Sequence, residues 1–146
     1  MGTRSTIAIK HGDRIKAIYC HWDGYVEGVG ATLVEYYQAS PKVNNLIALG
    51  DVSSLREEIG EKHSFDLRAV EGSVEETWTT FYGRDRGEQG QEFKSFASEA
   101  EWMDYYDGSG AEYYYIMDNG VWYVSAYRKE FQPLHEAVAE LNKEEA

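Results

Sequence analysis

The chain has 146 residues, 42% apolar and 14% aromatic, and carries a formal charge of −12 from 26 acidic and 14 basic side chains. That length fits one domain, which buries roughly two-thirds of its unfolded surface without covalent staples. A field of this sign repels nucleic acid and attracts cationic partner surfaces, so direct nucleic-acid binding is excluded.

The charge is uneven: Arg4, Lys10, Arg14 and Lys16 stand against Asp13 alone in the first twenty residues, and the excess of carboxylates follows them. One cysteine, Cys20, rules out an internal disulfide and fits a reducing compartment. The N-terminus lacks a signal-peptide apolar run, and no stretch reaches membrane-spanning length. A cytoplasmic protein without membrane contact is expected.

Two strand-like runs, Thr3–Lys10 and Arg14–His21, flank a hairpin connection at His11-Gly12-Asp13. Helical spacing follows in Val26, Val29, Leu33, Tyr36 and Tyr37, with Gly28 and Gly30 set either in the first turn or where another backbone approaches closely. Ser40-Pro41 predicts an N-cap and a first-turn proline for a helix stopped by Gly50. Ser54 and Glu57 form a capping-box pair that predicts a short third helix. Trp78–Tyr82 reads as a strand and Gly83–Gln91 as a polar loop. Ser98 and Glu101 make a second capping box, opening a helix to Tyr106. Asn119-Gly120 between aromatic runs predicts a type I′ hairpin, with Asp118 opposite Val121, Met117 opposite Trp122 and Tyr115 opposite Val124. One hairpin face (Tyr113, Tyr115, Met117, Trp122, Val124) is the core candidate. The other (Tyr114, Ile116, Tyr123, Tyr127) reads as a tyrosine-lined surface, suited to partner anchoring or a homodimer. Pro133 opens a last helix with Leu134, Val138 and Leu141 on one side. The order predicts an α+β fold: a mainly antiparallel sheet built from two hairpins plus a middle strand, with helices packed on it.

Three groups of residues bear chemistry. Tyr19-Cys20-His21-Trp22-Asp23-Gly24-Tyr25 sets a thiol, an imidazole and a carboxylate at a strand-to-helix junction. Cys20 and His21 point to opposite faces of a strand and cannot exchange a proton directly. The simpler reading makes Cys20 and Trp22 core, His21 a hydrogen-bonded junction residue and Asp23 a helix cap. In Tyr82-Gly83-Arg84-Asp85-Arg86-Gly87-Glu88, Arg84 and Arg86 beside glycines suit a phosphate, with His21 and Asp23 as substrate-orienting or acid/base groups. The simpler reading pairs the arginines with local carboxylates. No P-loop, dinucleotide, zinc-protease or nucleophile-elbow pattern occurs, and no cofactor or metal is expected.

The third group is the carboxylate blocks. Glu57, Glu58 and Glu61, then Glu99, Glu101, Asp104 and Asp107, are spaced as charges able to imitate a phosphate backbone in a basic groove. Ordinary solvated helix faces are the alternative.

Taken together, Ser5-Thr6-Ile7-Ala8, the CHWDG string at 20–24, the YGRDRGE string at 82–88 and Asn119-Gly120-Val121-Trp122-Tyr123-Val124 make the chain similar, over nearly its whole length, to a family of small tailed-bacteriophage proteins. The resemblance implies an accessory product acting in the host cytoplasm, with no catalytic residues to carry over. By analogy such proteins counter host defences, including restriction and CRISPR systems. The expectation is a non-catalytic acidic inhibitor of a host nucleic-acid-handling complex, with Tyr114, Tyr123 and Tyr127 as anchors. The competing expectation is a nucleotide-binding domain using Arg84 and Arg86.

Overall fold

The computed structural model describes residues 3–145. Its elements run β1 (Ser5–His11), β2 (Arg14–Cys20), a π-helical turn (Val26–Gly30) leading into α1 (Ala31–Tyr36), α2 (Ser40–Ala48), β3 (Val52–Ser54), a 3₁₀ turn (Val74–Thr77), β4 (Thr80–Phe81), α3 (Tyr82–Arg86), β5 (Lys94–Phe96), α4 (Glu99–Asp107), β6 (Tyr113–Asp118), β7 (Val121–Ala126), β8 (Gln132–Pro133) and α5 (Leu134–Glu145). The eight described strands form one sheet in the order β4-β3-β2-β1-β6-β7-β8, with β5 also pairing β2. The fold is α+β and mostly antiparallel; β1 with β6 and β2 with β3 are the parallel contacts.

Strand alternation sends Ile7, Ile9, Ile18, Cys20, Tyr115, Met117, Trp122 and Val124 to one face, where they pack with Leu33 of α1, Val43, Leu46 and Ile47 of α2 and Leu134 of α5. Ala8, Ile15, Ala17, Tyr114 and Ile116 point the other way, against Trp102, Met103 and Tyr106 of α4. Both faces of the central strands are therefore covered. The many tyrosines and tryptophans find their explanation here, because their buried polar rims staple connecting segments to the sheet. Tyr115 Oη donates to the Gly24 carbonyl at 2.7 Å, Trp122 Nε1 to the Tyr37 carbonyl at 2.9 Å, and Tyr37 Oη to the Arg56 carbonyl at 2.8 Å. Trp102 Nε1 donates to Thr6 Oγ1 at 3.0 Å, and that hydroxyl donates to the Ile18 carbonyl at 2.8 Å.

The β6–β7 hairpin has the expected register, and Asn119 and Gly120 both take positive φ, as a type I′ turn requires. At α4, Ser98 Oγ accepts the Glu101 N–H at 3.2 Å, while the Glu101 carboxylate accepts the Ala97 N–H at 2.9 Å. Gly28 admits the Asp23 carbonyl, which would lie 2.3 Å from an added Cβ.

Other expectations need correction. His11 belongs to β1 and pairs with Arg14, so Gly12-Asp13 alone makes the first turn. Ser40 lies inside α2, whose N-cap is Ala39. No helix starts after Ser54: the segment pairs with the sheet through β3, and tertiary pairing outweighs the local capping signal. Residues 82–86 form α3 in place of a loop. The second hairpin face is not a free surface, since Tyr114 and Ile116 lie under α4.

Candidate functional site

β3 and β5 share one edge of β2. Lys94 pairs with Ala17 and Val52 with Cys20, so the sheet forks between them at Tyr19. The Tyr19 N–H, left without a strand partner, is accepted by Asp51 Oδ1 at 2.9 Å. Asp51 is held there by its own backbone: its N–H donates to the Gln91 carbonyl at 2.8 Å, and its carbonyl accepts the Tyr82 N–H at 3.2 Å. Gly50 makes the approach possible. Its φ is +89°, and an added Cβ would lie 2.3 Å from the Gln91 oxygen.

A cavity of about 280 Å³ occupies this fork, walled by Tyr19, Asp51, Gln91 and Lys94 and by Tyr105 and Tyr106 at the end of α4. Divergence of strands is where open sheets leave room for ligands. Burial pushes the Asp51 carboxyl up to about 6, against the lowering effects of the Tyr19 N–H and the Lys94 charge; Glu92 adds to the rise. Burial also pushes Tyr19 up to about 12. Its phenol therefore keeps its proton and is hydrogen-bonded with His21 Nδ1 at 2.7 Å. Burial and the Arg4 guanidinium lower His21, which favours its neutral imidazole.

In the rest of the CHWDG string Cys20 is core, as expected, while Trp22 and Asp23 are not placed as expected. Cys20 is enclosed, and burial pushes its thiol up to about 12, which makes it inert. Trp22 is 43% exposed rather than core, its ring edge-on to His21 at 4.7 Å. Asp23 does not cap the following turn through its side chain, which accepts from Tyr25 Oη at 3.0 Å; its φ is +56° and its carbonyl accepts the Val29 N–H. Among the described residues, no hydrogen bond or ion pair joins His21 or Asp23 to Arg84.

Arg84 is not available for phosphate. A guanidinium has five N–H donors, and all five are used: Nε on Asp85 Oδ1 (3.0 Å), Nη1 on the Ile59 and Gly60 carbonyls (3.0 and 3.1 Å), and Nη2 on the Thr79 carbonyl and Asp85 Oδ2 (2.9 and 3.2 Å). The group also stacks on Phe81 at 4.5 Å. Asp85 is enclosed and additionally accepts the Phe81 N–H at 2.8 Å and the His63 N–H at 3.0 Å. This cage ties the irregular 55–79 segment to α3. Arg86 is exposed, 3.7 Å from Glu88 and over the Phe65 ring. The nearby hollow of about 290 Å³ is lined by Arg56, Glu75, Glu76 and Trp78 and by neither of these arginines.

The carboxylates divide between two faces. Glu58 pairs with Lys42 of α2 at 2.5 Å, beside half-buried Glu57 and exposed Glu61. Glu99, Glu101, Asp104 and Asp107 are exposed on α4, across the sheet from α2. Arg128 reaches Asp104 at 2.5 Å and Asp107 at 4.0 Å. Tyr127 and Arg128, consecutive non-glycine residues at positive φ, make the sharp turn that delivers it. Of the proposed anchors, Tyr114 is fully buried and donates to the Ala111 carbonyl, so it cannot reach a partner. Tyr123 is half-buried against the α4-side core. Tyr127 is 59% exposed, but its ring lies 5.4 Å from Tyr113, on the opposite hairpin face from Tyr114. Tyr105, 45% exposed among the α4 carboxylates, was not singled out from the sequence, nor were Asp51 and Lys94.

Among the described residues, no group of three or more His, Cys, Asp or Glu side chains is placed to hold a metal ion, and no helix is long and apolar enough to cross a membrane. Compared with known proteins, the chain matches no family model, no curated protein and no solved structure.

Proposed function

We propose that this protein acts by binding a basic protein surface of the kind that handles nucleic acid, without catalysis. In the phage setting that the sequence resemblance implies, the partner is a host defence complex of the restriction or CRISPR type. The observation that carries this reading is α4. Trp102, Met103 and Tyr106 bury its inner side, so Glu99, Glu101, Asp104 and Asp107 are presented on a rigid helix with Tyr105 among them. Arg128 offsets part of that charge and the remainder faces solvent. Electrostatic complementarity then steers encounter and excludes partners of the wrong sign. The nucleotide-binding alternative loses its central residue, because Arg84 is already saturated.

The test is capture of partner from host extract by immobilised protein, followed by assay of nucleic-acid binding by the captured complex. Capture is expected to weaken steeply as salt rises from ~0.05 to ~0.5 M, because exposed charges are screened. It should be lost in the variant carrying Glu99→Gln, Glu101→Gln, Asp104→Asn and Asp107→Asn. Capture that ignores both salt and this variant, or a captured complex with undiminished nucleic-acid binding, sinks the reading.

A further inference from the structure

We propose that the cavity at the β3/β5 fork is a socket for the cationic head of a lysine or arginine side chain presented by the partner. This rests on the basic-partner reading and names the point of deepest contact. The first support is Asp51. Its Oδ1 is occupied by the Tyr19 N–H, while Oδ2 takes no hydrogen bond within the protein and is not among the fully enclosed unpartnered atoms. No basic side chain lies within ion-pair distance of it in the described residues, so a carboxylate oxygen faces the cavity unpaired. A half-buried acceptor of this kind calls for an N–H donor carrying positive charge.

The second support is aromatic. Tyr19, Tyr105 and Tyr106 stand around the same space, and ring faces attract ammonium and guanidinium groups. The protein already places one cation here: Lys94 Nζ lies 5.7 Å from the centre of the Tyr105 ring, too far from Asp51 to pair with it. Lys94 thus marks the chemistry of the wall without occupying the acceptor. The third support is position. Tyr105 and Tyr106 belong to α4, so the socket borders the helix on which the basic-partner reading seats its partner, on the flank away from Asp104 and Asp107. A volume of about 280 Å³ is ample for a lysine or arginine side chain.

The experiment is an NMR titration of the whole chain with N-acetyl-arginine methylamide and N-acetyl-lysine methylamide. Uncharged N-acetyl-norleucine methylamide, inorganic phosphate and the free diamine putrescine serve as controls. Either cationic amide is expected to shift the backbone signals of Tyr19, Gln91, Lys94 and Tyr105, with an affinity on the order of millimolar for so small a probe. Asp51→Asn, which keeps an oxygen for the Tyr19 N–H, should weaken this at least tenfold. Lys94→Ala should strengthen it a few-fold by removing a like charge. Equal shifts with norleucine, binding of phosphate that Lys94→Ala abolishes, no shift at all, or putrescine binding more tightly than both amides would each overturn the socket. The titration needs no partner, so its failure leaves capture through α4 standing. Capture that ignores both salt and the neutralised α4 variant sinks that reading and leaves the titration standing in turn.

Discussion

Arg84 and Asp85 are neighbours in sequence whose side chains close on one another, Nε to Oδ1 at 3.0 Å, inside a ring of backbone donors and acceptors drawn from residues 59–63 and 79–81. The pair works as a clasp. It gives an irregular segment with little core of its own a fixed path across the sheet edge. Asp85→Ala leaves a desolvated guanidinium without its counter-charge and two N–H groups without an acceptor, which costs about 3–5 kcal/mol. Urea unfolding should show that loss, and limited proteolysis should cut first within 60–77. Unchanged stability would mean the clasp is dispensable. Added nucleotide should leave the melting temperature of the wild-type chain where it was.

Asp51 couples stability to pH. Its carboxyl titrates near 6 when folded and near 3.8 as an ordinary aspartate, with burial the leading cause. The fold therefore favours the protonated form. That contribution is complete below pH 3.8, fades as pH rises to 6, and is absent above it. Asp51→Asn cannot ionise and should match the wild type near pH 4 while exceeding it at pH 7–8 by about 1–2 kcal/mol, after discounting for partial solvent screening. Thermal melts of both proteins from pH 4 to pH 8 check this. A difference that stays constant with pH refutes it.

Gly50 sets the geometry of the fork. Gly50→Ala puts a methyl group 2.3 Å from the Gln91 carbonyl at a φ of +89°, so backbone must move. A loss of about 2–4 kcal/mol is expected, along with loss of hydrogen-exchange protection at Asp51, whose N–H bonds that same carbonyl at 2.8 Å. Protection retained at Asp51 would show that residues 90–92 yield without opening the fork.

Arg128 tempers the acidic helix through Asp104 and Asp107. Both carboxylates are well exposed, and exposed pairs add little to folding. Arg128→Ala should leave the unfolding midpoint nearly unchanged while tightening salt-sensitive partner capture several-fold. Weaker capture in this variant would make Arg128 a contact residue in its own right.

Features written in neighbouring residues were legible from the sequence. Asn119-Gly120 set the β6–β7 register, and Ser98 with Glu101 marked the start of α4. Tyr113–Met117 was half legible. The alternation identified Tyr115 and Met117 as core, but β6 lies between β1 and β7 and is covered on both faces, which is why the run contains no charged residue. Arg84 misled for a related reason. Its glycine-flanked setting looks like a phosphate loop, while two of the three carbonyls that saturate it lie 24 and 25 residues upstream. Asp51 had no local signature at all. Its environment exists only because β3 and β5 meet the same edge of β2, a pairing between distant segments that no spacing rule reports.

The parallel ladder between residues 5–9 and 113–117 sets the order in which this molecule can be completed. During synthesis the first hairpin emerges early, and the second neighbour of β1 is missing until Met117 has left the ribosome. Until then Ile7 and Ile9 border a bare strand edge, exposed to chaperones or to another nascent copy. Slow translation of the middle of the chain should therefore favour aggregation more than slow translation of its final helix.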